Sequence, residues 1–249
     1  MLVRPGTERG FDVLMVRRSG ASHFVPDAYV FPGGTVDSSD YEEQTLARVR
    51  GVDEADLRRE FRMQHAPNFA APVDPVTPRD AQALMVAALR ELYEEAGVLL
   101  ACDEHLQPLD LPVAHETRIP FAQMLQRYDA FADARTLALF SHWITPPTYP
   151  RRYNAHFFLA RAGVGQTASA DAVETHDGVW IAPARALQES ELGRFSLVYP
   201  TIKHLERLTA FRSIDDLLQF ARSKPIYSIM PDTQAQAEFS MPPDLEMSW

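Results

Sequence analysis

Cysteine is almost absent from this chain of 249 residues: Cys102 stands alone. A single cysteine excludes a disulfide framework and a cysteine zinc site. No apolar run approaches the ~20 residues of a membrane-spanning helix. The opening MLVRPGTERGFDVLMV also lacks the apolar stretch of a secretory signal. No membrane partner is expected, and a reducing, cytoplasmic location is the expectation. Positive charge is scarce. The 24 Lys and Arg face 34 Asp and Glu, giving a formal net charge of −10 and a pI of about 5.3. That argues against a broad basic surface for nucleic acid, although a local basic pocket is compatible with it. Internal repeats and low-complexity blocks are missing as well. What remains is a globular composition, 46% hydrophobic, sufficient for one large domain or a domain with additions.

One informative stretch, Arg90-Glu91-Leu92-Tyr93-Glu94-Glu95-Ala96-Gly97-Val98, packs four charged side chains into six residues. It follows LMVAAL, a run that favours helix. On a helix, Glu91, Glu94 and Glu95 stand at i, i+3 and i+4, so their carboxylates share a face, and Arg90 is four residues from Glu94. Like charges on one face repel. A hard divalent cation relieves that repulsion, because magnesium takes oxygen ligands from one or two carboxylates and from substrate phosphates. Gly97 stands where a left-handed residue ends a helix. A merely solvated acidic face would not explain the apolar run before it, the glycine after it, or the Phe31-Pro32-Gly33-Gly34 turn upstream.

Residues 90–98 resemble the second half of the Nudix hydrolase box at every specified position, and Gly33-Gly34 resembles its opening turn. Five residues after Gly34 stands Asp40, where the family usually has Glu. Between Asp40 and Arg90 lie 49 residues where the family has seven. This split box is similar to that of the coenzyme A diphosphatases of mitochondria and peroxisomes. A further likeness to that branch lies in His142, Trp143, Thr145, Pro146, Arg151, Arg152, Tyr153 and the strand Phe157 to Ala160.

Periodicity predicts strands at 12–18, 137–143, 155–160 and within 173–182, with Leu2-Val3 ending another. Residues 41–65 read as helical with a break at Gly51. Residues 66–78 read as a proline-rich return loop. Thr77, Pro78 and Asp80 form a capping-box start for the acidic helix. The insert thus ends where the helix begins, so it can project outward without disturbing the acidic face. Helices are expected at 119–131, 197–210 and 214–222, the last started by Ser213 with Asp216. The tail from Lys224 shows no element. His142 and His156 read as packing residues. Tyr149 and Tyr153 could face an adenine.

By pattern alone the fold is mixed α and β around a central sheet. The resemblance implies an α/β/α sandwich around a mixed sheet. Residues 1–249 then form a single Nudix domain, with an insert at 41–79 and a C-terminal helical extension at 193–249. It also implies a Mg2+ or Mn2+ cofactor held by Glu91, Glu94 and Glu95, with the Gly33 carbonyl as a further ligand. Arg90 would orient the glutamates. Glu95 or Glu174 would act as general base, with Asp171 and Asp177 as rivals to Glu174. Gly34, Arg151, Arg152 and Tyr153 would contact substrate, since guanidinium groups grip phosphate and stack on rings. The implied reaction is hydrolysis of the diphosphate in a nucleoside diphosphate derivative, foremost coenzyme A or an acyl-coenzyme A. ADP-ribose, a nucleotide sugar, capped RNA, or a non-catalytic nucleotide-binding module remain alternatives, and a homodimer is left open.

Overall fold

A computed structural model describes residues 1–6, 10–18, 27–65, 75–111, 119–163, 175–233, 239–242, 245 and 249, with the backbone alone at 63–65, 175–177 and 233. The strands are β1 (Leu2–Pro5), β2 (Phe11–Arg18), β3 (Tyr29–Val30), β4 (Val49–Arg50), β5 (Met63–His65), β6 (Ala101–Cys102), β7 (Pro108–Leu109), β8 (Phe131–Asp133), β9 (Ala138–Ile144), β10 (Asn154–Arg161), β11 (Thr175–Ile181), β12 (Ile226–Ile229), β13 (Asp232–Thr233) and β14 (Phe239–Ser240). The α-helices are α1 (Glu43–Leu46), α2 (Glu54–Glu60), α3 (Pro78–Ala96), α4 (Phe121–Arg127), α5 (Pro183–Glu191), α6 (Tyr199–Leu208) and α7 (Ile214–Ser223).

The main sheet runs β11-β2-β1-β10-β9-β12-β5 and mixes parallel with antiparallel pairs. Because strand side chains alternate, β2 sends Leu14 to one face and Val13 and Met15 to the other, where each enters a different core. The first core holds Leu2, Leu14, Leu139 and Phe158 against Met85, Leu89 and Tyr93 of α3. The second holds Val3, Phe140 and Leu159 against Leu205 of α6 and Leu217 of α7. Helices thus cover both faces of a mixed sheet, as the resemblance implied. Met85 and Leu89 are fully buried, and each such side chain contributes about 1.5–3 kcal/mol.

Helix α3 starts as its sequence dictates. The Asp80 backbone N–H donates to Thr77 Oγ1 at 3.2 Å, the Thr77 N–H donates to Asp80 Oδ2 at 3.2 Å, and Pro78 opens the helix. Such a cap is worth about 1 kcal/mol. Gly97, at φ 66°, ends it in the left-handed conformation.

The insert departs from expectation. Residues 41–65 are not one broken helix: they form the end of a 3-10 turn (Ser38–Tyr41), α1, β4, α2 and β5. Nor does the segment simply project outward. Leu46, Val49, Leu57 and Phe61 join the first core, β4 pairs with β8, and β5 extends the main sheet beside β12. Its apolar residues were legible, but their partners lie far away in sequence. The tail differs too, since residues 226–229 form β12 between β9 and β5. The expected extension at 193–249 is therefore helical only in part. Most of the loop expected at 66–78, residues 66–74, lies outside the described residues.

Strand β2 explains where the glycine turn emerges. One of its edges is taken by β11 from Val13 to Arg18. The other is shared: β1 pairs with residues 11–13 and β3 with residues 16–17. β3 and β1 therefore follow each other along one edge. The chain leaving β3 meets a slot already filled by β1 and must quit the sheet at Phe31 to Gly34.

Candidate active site

Phe31 stays buried, edge-on to Phe157 with centroids 6.5 Å apart. The next residues come against the last two turns of α3. The Gly33 N–H donates to Glu95 Oε2 at 2.8 Å. Gly33 itself sits at φ 152°, a conformation that disfavours side chains. Gly34 leaves no room for one: a Cβ there would lie 2.4–2.6 Å from the carboxylate atoms of Glu91. The paired glycines thus let backbone approach two box glutamates directly.

Arg90 ties the site together. Its Nε and Nη2 donate to the two oxygens of Asp40, both at 2.9 Å, in a bidentate pair. Nη2 also donates to the Thr35 carbonyl at 2.9 Å, and Nη1 donates to Glu91 Oε1 and Glu94 Oε2, each at 2.8 Å. Burial disfavours the guanidinium's charge, but the Asp40 hydrogen bonds and the charges of Glu91 and Asp40 outweigh it and hold its pKa above the usual value. Burial also pushes the Glu91 carboxyl upward, against the pull of Arg90.

Asp40, 1% exposed, is held in turn by the turn that carries it. Asp37 caps Ser38–Tyr41, and its N–H donates to Asp40 Oδ2 at 2.8 Å. Tyr41 then donates its hydroxyl to Asp80 at 3.1 Å, and Arg79 reaches both Glu43 and the Tyr41 carbonyl. The shorter acid at the family's Glu position is therefore an arginine partner. The role of Asp37 went unread in the sequence, although Asp-x-x-Asp before a short helix is a capping-box pattern.

Four carboxylates gather here: Asp40, Glu91 and Glu94 on Arg90, and Glu95 on the Gly33 N–H. Among the described residues no three acidic, His or Cys side chains converge into a metal cage. The reason is visible: Arg90 draws Glu91 and Glu94 toward itself, while Glu95 points at the Gly33 N–H. The donors still suit a hard divalent ion. All are carboxylate oxygens, the donor type that such an ion prefers.

The other expected residues belong to other segments of the chain. Arg151, Arg152 and Tyr153 sit in the turn between β9 and β10, both arginines exposed. The Arg151 guanidinium is 5.8 Å from the Tyr153 ring centroid, and Arg152 Nε donates to the Thr145 carbonyl at 3.1 Å. Tyr149 stacks on Phe239 at 5.1 Å, so that face is taken by the chain itself. Glu174 and its rival Asp171 lie outside the described residues, and of Asp177 only the backbone is described.

The family model for the NUDT19 Nudix domain matches residues 3–208. The chain belongs to the Nudix family. Its relatives include proteins named acyl-coenzyme A diphosphatase NUDT19. The one from Xenopus laevis is 26% identical over 243 residues, covering 84% of this chain and 63% of the relative. The one from Gallus gallus is 28% identical over 248 residues, covering 87% and 66%. The chain thus spans about two thirds or less of the length of these relatives. A Nudix hydrolase crystal structure from Alicyclobacillus acidocaldarius superposes with a TM-score of 0.70 at 26% identity, covering 88% of this chain and 92% of that one. In this Nudix chain, α3 carries the second half of the box and the Gly33-Gly34 turn the first.

Proposed function

We propose that the chain is a Nudix hydrolase that uses Mg2+ or Mn2+ to split the diphosphate of coenzyme A or an acyl-coenzyme A. The observation that carries the reading is the contact of Gly33 with Glu95 and of Gly34 with Glu91, the latter glutamate held by Arg90. Relatives named acyl-coenzyme A diphosphatase support the substrate. In this reading Glu91, Glu94 and Glu95, with the Gly33 carbonyl, hold the ion. Bound there, the ion would neutralise phosphate charge and lower the pKa of a water. Glu95 or Glu174 accepts the proton of the attacking water. Arg90 keeps Glu91 and Glu94 in place, and Asp40 keeps Arg90 in place. Gly34 gives the substrate phosphates close access to backbone. Arg151 and Arg152 grip phosphate at the exposed turn beside Tyr153.

We also treat residues 1–249 as one Nudix unit with 41–79 inserted in the box and 193–249 appended. The position of β12 within the main sheet supports that reading. A reducing, cytoplasmic setting belongs to the same proposal, and a lone buried cysteine, Cys102, is compatible with it. The test is a panel of coenzyme A, acetyl-coenzyme A, ADP-ribose, a nucleotide sugar and capped RNA, assayed with and without Mg2+. Metal-dependent release of 3′,5′-ADP from the coenzyme A compounds is expected. Efficient turnover of another panel member, with none of coenzyme A, overturns the substrate. No turnover of any member favours the binding-module alternative.

A further inference from the structure

On the α3 side of the main sheet, two histidines that the proposed reaction does not use are stacked face to face. The rings of His142 and His156 lie 4.4 Å apart at 20°, on directly paired positions of β9 and β10. His142 is fully engaged. Its Nε2 is hydrogen-bonded to the Asn154 side chain. Nδ1 is hydrogen-bonded to the Ser228 hydroxyl at 2.9 Å. His156 is the opposite case: both ring nitrogens are buried and neither has a hydrogen-bond partner among the described residues. Phe61, from the insert, closes over it at 6.1 Å. A buried polar group left unpaired is costly, and one with two idle nitrogens calls for a partner.

Strand register places this imidazole near the glycine turn. Ala160 of β10 pairs with Leu2, while Val3 pairs with Val13, so Ala160 is level with Leu14. Stepping back along β10 to His156 moves toward Arg18, the end of β2 that β3 occupies. The chain leaves the sheet just after β3 to form Gly33-Gly34. His156 therefore stands on the sheet floor beside the emerging turn, on the same side as α3.

We infer that His156 is a substrate-binding residue that receives a neutral donor–acceptor edge, an amide or a purine. A neutral imidazole offers one donor and one acceptor, which matches such an edge and not a phosphate. The ring is kept neutral: burial and the neighbouring His142 lower its pKa to about 3. His142, locked by Ser228 and Asn154, fixes the plane in which the edge is read. Phe61 makes the insert part of that subsite. The inference rests on the proposed hydrolase reading for its substrate, in which the amides belong to the pantetheine arm and the purine is adenine.

The test compares wild type, His156→Phe and His156→Gln on coenzyme A and on ADP-ribose, which carries the adenine but no amide arm. The phenylalanine keeps the stack without the nitrogens, and the glutamine restores one donor and one acceptor. KM should rise about tenfold in His156→Phe, with kcat much less affected, and His156→Gln should recover part of the loss. A rise on coenzyme A alone assigns the amide arm, and a rise on both compounds assigns adenine. In parallel, the imidazole signals that disappear in His156→Phe should shift in wild-type NMR spectra when coenzyme A is added. Unchanged KM values together with unmoved imidazole signals overturn the subsite and leave the hydrolase reading standing. If the wild type cleaves neither compound, the reaction is overturned, and the NMR titration with coenzyme A alone decides the subsite: a shift upholds it and no shift overturns it.

Discussion

Replacing Gly34 with alanine separates the site from the fold. The backbone at Gly34 is not in the left-handed region, so the cost is one of space. The new Cβ would lie 2.4 Å from Glu91 Oε1 where ordinary contact needs at least 3.4 Å, so the carboxylate must retreat by about 1 Å. That carboxylate is the end of a flexible side chain, and the backbone need not follow. Its retreat stretches or breaks the 2.8 Å bond from Arg90 Nη1. A hydrogen bond to a charged partner is worth about 1.5–3 kcal/mol. Arg90 keeps its bonds to Asp40, Glu94 and Thr35, and Glu91 moves toward water, so the net loss should be about 1 kcal/mol. For a chain of this size that is a fall in Tm of about 2–4 °C. Function should suffer far more, because a misplacement of about 1 Å in a catalytic constellation costs on the order of a hundredfold. The assay pairs a thermal melt with turnover of coenzyme A across a Mg2+ titration. Wild-type turnover at wild-type Mg2+ dependence would refute the claim that Gly34 exists to admit the Glu91 carboxylate.

Glu95→Gln and Glu94→Gln should each lower metal-dependent turnover at least a hundredfold, with Tm within a few degrees of wild type; near wild-type kcat in either would sink its assignment. Repulsion alone would have made the Glu94 change stabilising, but Glu94 bonds Arg90, so a small loss of Tm is expected instead. Deleting residues 43–74 and bridging the gap should abolish cooperative unfolding, because it removes Leu46, Val49, Leu57 and Phe61 from the core and β5 from the sheet; a sharp melt with intact metal binding by calorimetry would contradict this. Stability should also fall on mild acidification. His156 and His204 have folded pKa values lowered from 6.5 to about 3, chiefly by burial. The unfolded chain therefore binds their protons first, and stability present above pH 6.5 drains away between there and about pH 3. From pH 7 to 5.5 each contributes a loss of roughly 1.2 kcal/mol; His156→Phe should flatten the Tm profile over that range, and an unchanged slope counts against the assignment.

The sequence announced those parts of the molecule whose signals are local. Thr77, Pro78, Asp80 and Gly97 mark both ends of α3 because capping acts within a few residues. Strands β2, β9 and β10 declared themselves by β-forming runs. The partnership of Arg90 with Glu94 could be read from a spacing of four. Its bidentate grip on Asp40 could not, because the two are fifty residues apart and only tertiary packing joins them. β5 and β12 were missed for a related reason. Each is short and pairs in parallel with strands distant in sequence, β5 with β12 and β12 with both β5 and β9. The independent helix start at Thr77 allowed an insert that projects outward, whereas Leu57 and Phe61 on its inner face are buried.

The Arg90–Asp40 pair closes an excursion of 49 residues, where the family's usual box closes seven. The entropy of closing a flexible loop grows only as the logarithm of its length, so a sevenfold longer excursion costs roughly 1.7 kcal/mol more. That is comparable to one charge-assisted hydrogen bond, and Arg90 and Asp40 share two. A box can thus be interrupted here at modest cost, provided the ion pair forms at the point of re-entry. The halves of the box then meet only through long-range closure. Order at the four carboxylates should appear late in refolding, after the insert has docked, and the first occupancy by a divalent ion would serve as a clock for that step.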